Sequence, residues 1–229
     1  MKFPDDYINR VIHGDCLQVM RGMPDGCVDL VLTDPPYGIG ESNRKNLSRG
    51  NLAPPTDYGD YSWDAERIGP EYIRECMRVS KNQIIFGGNY YTDVLPPTPC
   101  WIFWDKKNGN NDFADGELAW TSFPSTLRRF EWMWNGMLRQ GGEPRYHPTG
   151  KPVALGRWIL ERYSQPEDTI LDPFMGSGTF LVAAKMLGRR YIGIDIEEKY
   201  VRIAEERLRN TTPPLPFVTK KAEQGALGI

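Results

Sequence analysis

Thr169-Ile170-Leu171-Asp172-Pro173-Phe174-Met175-Gly176-Ser177-Gly178-Thr179 decides the fold. A short run of β-formers stops at an aspartate, two glycines permit a tight turn, and an apolar segment from Thr179 to Leu187 follows, stopped by Gly188. This reads as a buried parallel strand, a turn and a helix, with the turn at the carboxyl edge of an open α/β sheet, where ligands sit. The next strand, Tyr191 to Ile194, ends in Asp195. A final helix is expected from Glu197 to Arg209, with Glu198 and Arg202, and Glu205 and Arg209, spaced as favourable i,i+4 pairs.

Working outward, a second hydrophobic run, Val28 to Leu32, ends in Thr33-Asp34-Pro35-Pro36-Tyr37. Before it, a strand around Tyr7 to His13 leads through Gly14-Asp15-Cys16 into a helix from Leu17 to Met23, which completes a β-α-β unit. Residues 38–63 are polar, with Arg44, Lys45 and Arg49 among Asn, Ser, Gly and Pro, and read as a long loop of the kind that serves as a lid or binding segment. A helix is expected at Glu71 to Val79, and a strand at Gln83 to Phe86 ending in Gly87-Gly88-Asn89. Further strands are expected at Cys100 to Trp104, Glu117 to Phe123 and Phe130 to Trp134. His147-Pro148-Thr149-Gly150-Lys151-Pro152 introduces an apolar helix to Tyr163, with Pro152 in its first turn. Residues 1–210 form one domain in this reading, 38–63 and 105–146 are candidate recognition insertions, and 211–229 form a mobile or docked tail.

With 229 residues and 40 % hydrophobic content, the chain suits one sizeable core. A net charge of −2 argues against a uniformly basic protein, but nucleic-acid affinity depends on where Lys and Arg cluster. Cys16, Cys27, Cys76 and Cys100 lack the paired spacing of a zinc site or a disulfide framework, so no metal is expected and a reduced cytoplasmic setting is the default. No stretch approaches the roughly 20 apolar residues of a membrane span.

Gly176 and Gly178 allow the backbone to approach a ligand closely, and Asp195 ends the following strand where it can reach ribose hydroxyls. This is nucleoside-binding geometry. A dinucleotide site would call for a third glycine where Leu181 stands, and that glycine normally permits tight helix packing. Asp15 brings a carboxylate to the same edge, available to an adenine amino group or as a helix N-cap. Phe174 either covers an adenine face or packs in the core.

Asp34-Pro35-Pro36-Tyr37 suits attack by an exocyclic amine. The lone pair of such an amine is delocalised into its ring, so a site must draw hydrogen bonds from the nitrogen to aim the pair at an electrophile. Asp34 supplies one acceptor and the carbonyl of Pro35 a second, and consecutive prolines stiffen the turn. Tyr37 offers a flat face to a base taken out of its stack.

The chain resembles the S-adenosylmethionine-dependent DNA amino-methyltransferases, specifically their β class. Asp34 to Tyr37 is similar to the family's catalytic motif, Phe174 to Thr179 to its cofactor loop, and His147 to Pro152 to the segment preceding its cofactor-side helix. The order, catalytic motif before cofactor motif, is that of the class. The resemblance implies a Rossmann-like class I α/β fold, with a mostly parallel seven-stranded sheet, one antiparallel strand and helices on both faces. It further implies that Asp34, Pro35, Pro36 and Tyr37 orient the target base. Asp15, Cys16, Asp34, Phe174, Gly176, Ser177, Gly178, Thr179 and Asp195 would surround S-adenosylmethionine, with Lys151 near its carboxylate. Asp34 favours adenine N6 over cytosine N4, where serine is more common.

Double-stranded DNA is the expected partner, with an RNA amino group or a non-catalytic nucleic-acid-binding role as alternatives. The region between Trp134 and His147 is short for target recognition. Sequence readout then falls to residues 38–63 or 105–116, with Lys106 and Lys107 as phosphate contacts. Arg128, Arg129, Arg139 and Arg145 would extend that track, and a homodimer would widen the footprint. Phe130, Trp132 and Trp134 read as a core stripe before a stacking platform.

Overall fold

The structure is a computed structural model that describes residues 1–38, 67–109, 114–135, 138–143, 146 and 150–214. The expectations for the 38–63 loop beyond Gly38, for His147 to Thr149, for Arg145 and for the end of the tail lie outside the described residues.

Five strands form the parallel part of the sheet: β1 (Arg10–His13), β2 (Val28–Thr33), β3 (Ser80–Phe86), β9 (Thr169–Asp172) and β10 (Arg190–Asp195). Three more extend it: β4 (Trp101–Asp105), β5 (Gly116–Thr121) and β6 (Arg128–Glu131). The order is β1-β10-β9-β2-β3-β5-β4-β6. Only β5 is reversed, running antiparallel to both β3 and β4, while β6 is parallel to β4. The sheet therefore has eight strands, one more than the expected seven, and the single antiparallel strand is present. A small ribbon, β7 (Trp134–Asn135) with β8 (Leu138–Arg139), lies apart from it.

Helices α1 (Cys16–Arg21), α2 (Pro70–Val79), α3 (Val153–Tyr163), α4 (Thr179–Met186) and α5 (Glu198–Arg209) cover the sheet. Strand alternation divides the core into two layers. Leu30 and Leu32 of β2 join Ile84 and Phe86 of β3 against Ile159 of α3 and Phe180 and Ala183 of α4. Val31, between those two leucines, packs instead with Met20 of α1, Cys76 and Val79 of α2, and Leu171. Because both faces are covered, β2 and β9 are almost wholly buried, which explains their near-continuous hydrophobic runs.

Local chemistry sets the element ends. Asp15 caps α1 by accepting from the Leu17 N–H at 2.9 Å. Glu198 in the first turn of α5 and Arg207 and Arg209 in its last suit the helix dipole, and Glu198 pairs with Arg202 at 2.6 Å. Pro152 is the N-cap of α3 instead of a first-turn residue, and its carbonyl accepts the first helical bond from Leu155. The strand expected to reach Trp134 ends at Glu131. Trp132 stacks on Phe130 at 6.0 Å, and both rings, with Trp134, lie against the first core layer as a core stripe.

Candidate functional site

Four neighbouring parallel strands, β1, β10, β9 and β2, deliver a carboxylate each to one edge of the sheet: Asp15, Asp195, Asp172 and Asp34. These four line one cavity of about 310 Å³. Glu197 adds a fifth carboxylate, and Lys151 is the one lysine or arginine among the described lining residues. The walls are completed by Phe174, Tyr72, Ile68, Cys16 and the glycine turn. Tyr72 meets Phe174 at a tilted 6.0 Å.

The turn is held by groups on both sides. Gly176 has φ of +50°, a conformation that suits glycine, and donates its N–H to Asp195 Oδ2 at 2.8 Å. The other oxygen of Asp195 accepts from Glu197 N at 2.9 Å, and burial pushes this carboxyl above its usual range. Gly178 does not line the cavity. It opens α4 at φ of +75°, and a Cβ there would meet Ala204 of α5 at 2.8 Å. Arg207 of α5 fastens the turn from behind. One of its nitrogens donates to the Ser177 carbonyl at 2.7 Å and to the hydroxyl oxygens of Ser177 and Thr179 at 3.1 Å each. Its guanidinium also lies over the Tyr146 ring at 4.6 Å. Ser177 and Thr179 thus touch the cavity with their hydroxyls committed to α5.

Asp172 is buried beneath the site. Thr33 donates to its Oδ1 at 2.7 Å and the Phe174 N–H at 3.2 Å, yet burial prevails and pushes the carboxyl up to about 7. Burial also drives the Cys16 thiol far up, so this residue is an inert wall and no nucleophile.

Asp34 follows β2 directly, and both its oxygens are engaged. The Tyr37 hydroxyl donates to Oδ1, and the Lys151 ammonium to Oδ2. The Tyr37 ring packs over Gly87, where an added Cβ would fall 2.0 Å from it, and stacks on Tyr90 at 5.0 Å and 16°. One of its faces is therefore already covered. Tyr91, fully buried, donates its hydroxyl to the Pro36 carbonyl. The 3₁₀ turn Gly88–Tyr90 and the residue after it thus fix both the ring and the turn of the Asp-Pro-Pro-Tyr motif.

Lys151 does line the cavity, but its ammonium is directed to the Asp34 carboxylate. It lies between Asp34 and Glu117, the latter at 3.0 Å, and is 4 % exposed. Glu117 in turn meets Lys106 at 2.5 Å. Burial pushes the Glu117 carboxyl up, but the two lysines outweigh it and hold the group at about 2. Burial keeps Asp34 above its usual range despite Lys151. The ammonium of Lys151 stays protonated, because its two carboxylates outweigh the pull of burial.

Three members of the expected phosphate track are paired within the protein. Lys106 pairs with Glu117, Lys107 with Glu131 at 2.6 Å, and Arg129 with Asp105 at 2.5 Å and with Glu131 at 2.9 Å. Sequence reasoning missed Glu117, Tyr90, Tyr91, Tyr72, Ile68 and Arg207. The Gly87-Gly88 pair was the available signal for the first aromatic two, since adjacent glycines after a strand mark a close approach.

The cavity fits the cofactor implied by the resemblance. Its acidic lining suits a cationic sulfonium and opposes the paired phosphates of a dinucleotide, which would need donors or cations facing them. Phe174 and Tyr72 bring aromatic surface to the cavity, and Asp195 lines it beside the glycine turn. Among the described residues no group of three His, Cys, Asp or Glu could hold a metal, and no helix is long and apolar enough to cross a membrane.

Comparison with known proteins agrees with this geometry. A family model described as DNA methylase, for the N6/N4 methyltransferases, matches residues 93–206. The chain is 31 % identical over 216 residues to "Putative methylase YubD" of Escherichia coli K12, covering 88 % of this chain and 90 % of that protein. It is 28 % identical over 259 residues to the type II methyltransferase M.HinfI of Haemophilus influenzae, covering 91 % and 70 %. The fold is shared with the crystal structure of M1.HpyAVI in complex with SAM, at a TM-score of 0.54 and 23 % identity over 87 % of this chain and 99 % of that one. With the sheet order, the two spaced motifs and an identity extending over nearly the whole chain in agreement, the protein belongs to the N6/N4 family of DNA amino-methyltransferases.

Proposed function

We propose that the protein transfers a methyl group from S-adenosylmethionine to the N6 amine of adenine in duplex DNA, with the base turned out of the helix. The observation that carries this reading is the position of Asp34, which belongs at once to the acidic cavity and to the rigid Asp-Pro-Pro-Tyr turn. When bound, the cofactor supplies an electrophilic methyl carbon whose bond to sulfur breaks, with the electron pair passing to sulfur as the amine nitrogen forms its new bond.

The protein's own residues prepare the amine. The Asp34 carboxylate accepts one amino hydrogen and the Pro35 carbonyl the other, which localises the lone pair on nitrogen and aims it into the cavity. Tyr91 holds the Pro36 carbonyl and with it the turn. Tyr37, fixed by Gly87 and Tyr90, holds the turn on which the base is received. Gly176, Asp195 and Phe174 receive the nucleoside portion, and Asp15, Cys16, Ser177 and Thr179 complete the enclosure. The proton released after transfer is accepted by Asp34 before it reaches solvent.

The direct test is incubation with methyl-labelled S-adenosylmethionine and unmethylated duplex DNA, followed by digestion to nucleosides and mass spectrometry. Labelled N6-methyladenine, absent with D34A, is the expected result. Labelled N4-methylcytosine would reverse the base assignment, and absence of label in DNA would overturn the activity.

A further inference from the structure

Glu117 is the second residue of β5, the one reversed strand of the eight-stranded sheet. Reversal brings the start of this strand to the edge where the parallel strands end, so Glu117 stands beside Lys151 and across it from Asp34. No sequence motif covers it. The ammonium of Lys151, 4 % exposed and 4.7 Å from the centre of the Phe86 ring, requires carboxylate partners, because an isolated buried charge is very costly. One carboxylate would balance the charge. The site has two, and the second is itself balanced by Lys106 at 2.5 Å. The result is an alternating series, Lys106, Glu117, Lys151, Asp34, that ends on the group meant to receive the amine.

A lysine shared between two carboxylates binds each less completely than a lysine with one. We infer that Glu117 is a positioning residue for methyl transfer: by sharing the Lys151 ammonium it leaves Asp34 oriented and still able to accept a hydrogen bond from an incoming amine. The inference rests on the assignment of Asp34 as the amine acceptor. The charged and titratable groups facing Asp34 are Lys151 before α3, Tyr37 on its own turn, Glu117 on β5 and Asp172 at the end of β9. Lys151 faces Asp34 and Glu117, and Glu117 faces both lysines.

The two neighbours act on Asp34 with opposite signs: Lys151 favours its ionised form and Glu117 opposes it. The test is therefore the pH profile of kcat in E117Q and in K151M, beside calorimetric cofactor binding and thermal melting of each full-length variant. In E117Q, kcat is expected to fall about tenfold while the cofactor KM changes by less than about twofold, and the acid limb moves to lower pH. In K151M the acid limb moves to higher pH. E117D, which keeps the charge on a shorter arm, restores part of kcat. A purely structural role would lower stability in both variants without moving the limbs apart. Wild-type kcat in E117Q, or limbs that move in the same direction, would overturn the inference. Should K151M fail to fold, E117Q and E117D decide it alone. If the wild-type enzyme transfers no methyl group to DNA, the reading beneath it falls first and takes the inference with it.

Discussion

The ring of Tyr37 occupies the space that any side chain at position 87 would claim: a Cβ on Gly87 would lie 2.0 Å from Tyr37 Cε1. Gly87 also holds φ of +64°, so both the conformation and the space require glycine. The seat of Tyr37 is thus a missing side chain just past the end of the neighbouring strand.

Substituting Gly87 with alanine should displace the Tyr37 ring. We expect G87A to fold with a loss of about 1–3 kcal/mol, and to lose kcat by roughly 100-fold, since small misplacements of positioning groups are costly. Thermal melting and steady-state kinetics on the same preparation check this. Near wild-type kcat would show that the ring's position is unimportant.

Removal of the Asp34 carboxylate should separate chemistry from binding. D34A is expected to reduce transfer by roughly 1000-fold or more, while the cofactor Kd stays within about threefold, because Lys151 retains Glu117 as its partner. Calorimetric titration with S-adenosylmethionine beside a methyl-transfer assay distinguishes the two effects.

The hold of Arg207 on the glycine turn predicts a defect of the other kind. R207Q should weaken cofactor binding about tenfold, or about 1.4 kcal/mol, with little change in kcat at saturation. R207K should not restore it, since lysine lacks the planar fork. Binding isotherms for the two variants test both statements.

Asp172 predicts a pH dependence of stability. Its carboxyl, pushed up to about 7 in the fold against an ordinary 3.8, binds more protons in the folded than in the unfolded state between those values. Stability contributed this way is present at low pH and is lost as pH rises toward 7. D172N keeps an acceptor for Thr33 and Phe174 without a titrating group. Melting temperature measured from pH 5 to 8 should fall less steeply in D172N than in the wild type; parallel curves would refute this.

What could be read from the sequence follows the range of the interactions involved. The strands ending at Asp34 and Asp172 and the turn at Gly176 are local patterns, and their position at one sheet edge follows from parallel topology. Asp195 was readable for the same reason. Glu117, Tyr91 and Arg207 reach the site from distant segments, by a reversed strand, a 3₁₀ turn and the last turn of a helix, and no local spacing reports such approaches. Lys151 shows the boundary clearly. Its place before α3 was legible, but its partners lie 117 residues away at Asp34 and on β5 at Glu117. Lys106, Lys107 and Arg129 were legible as charges only, since their carboxylate partners sit on adjoining strands.

The reversal of β5 has a consequence for how such a protein can diversify. Because β4 ends at Asp105 and β5 begins at Gly116, the chain leaves and re-enters the sheet there at the same edge as the cavity. Lengthening a surface hairpin costs only slowly increasing loop entropy. Insertion there would add chain beside the cavity while β1, β10, β9 and β2, the four strands that deliver the aspartates, keep their register unchanged.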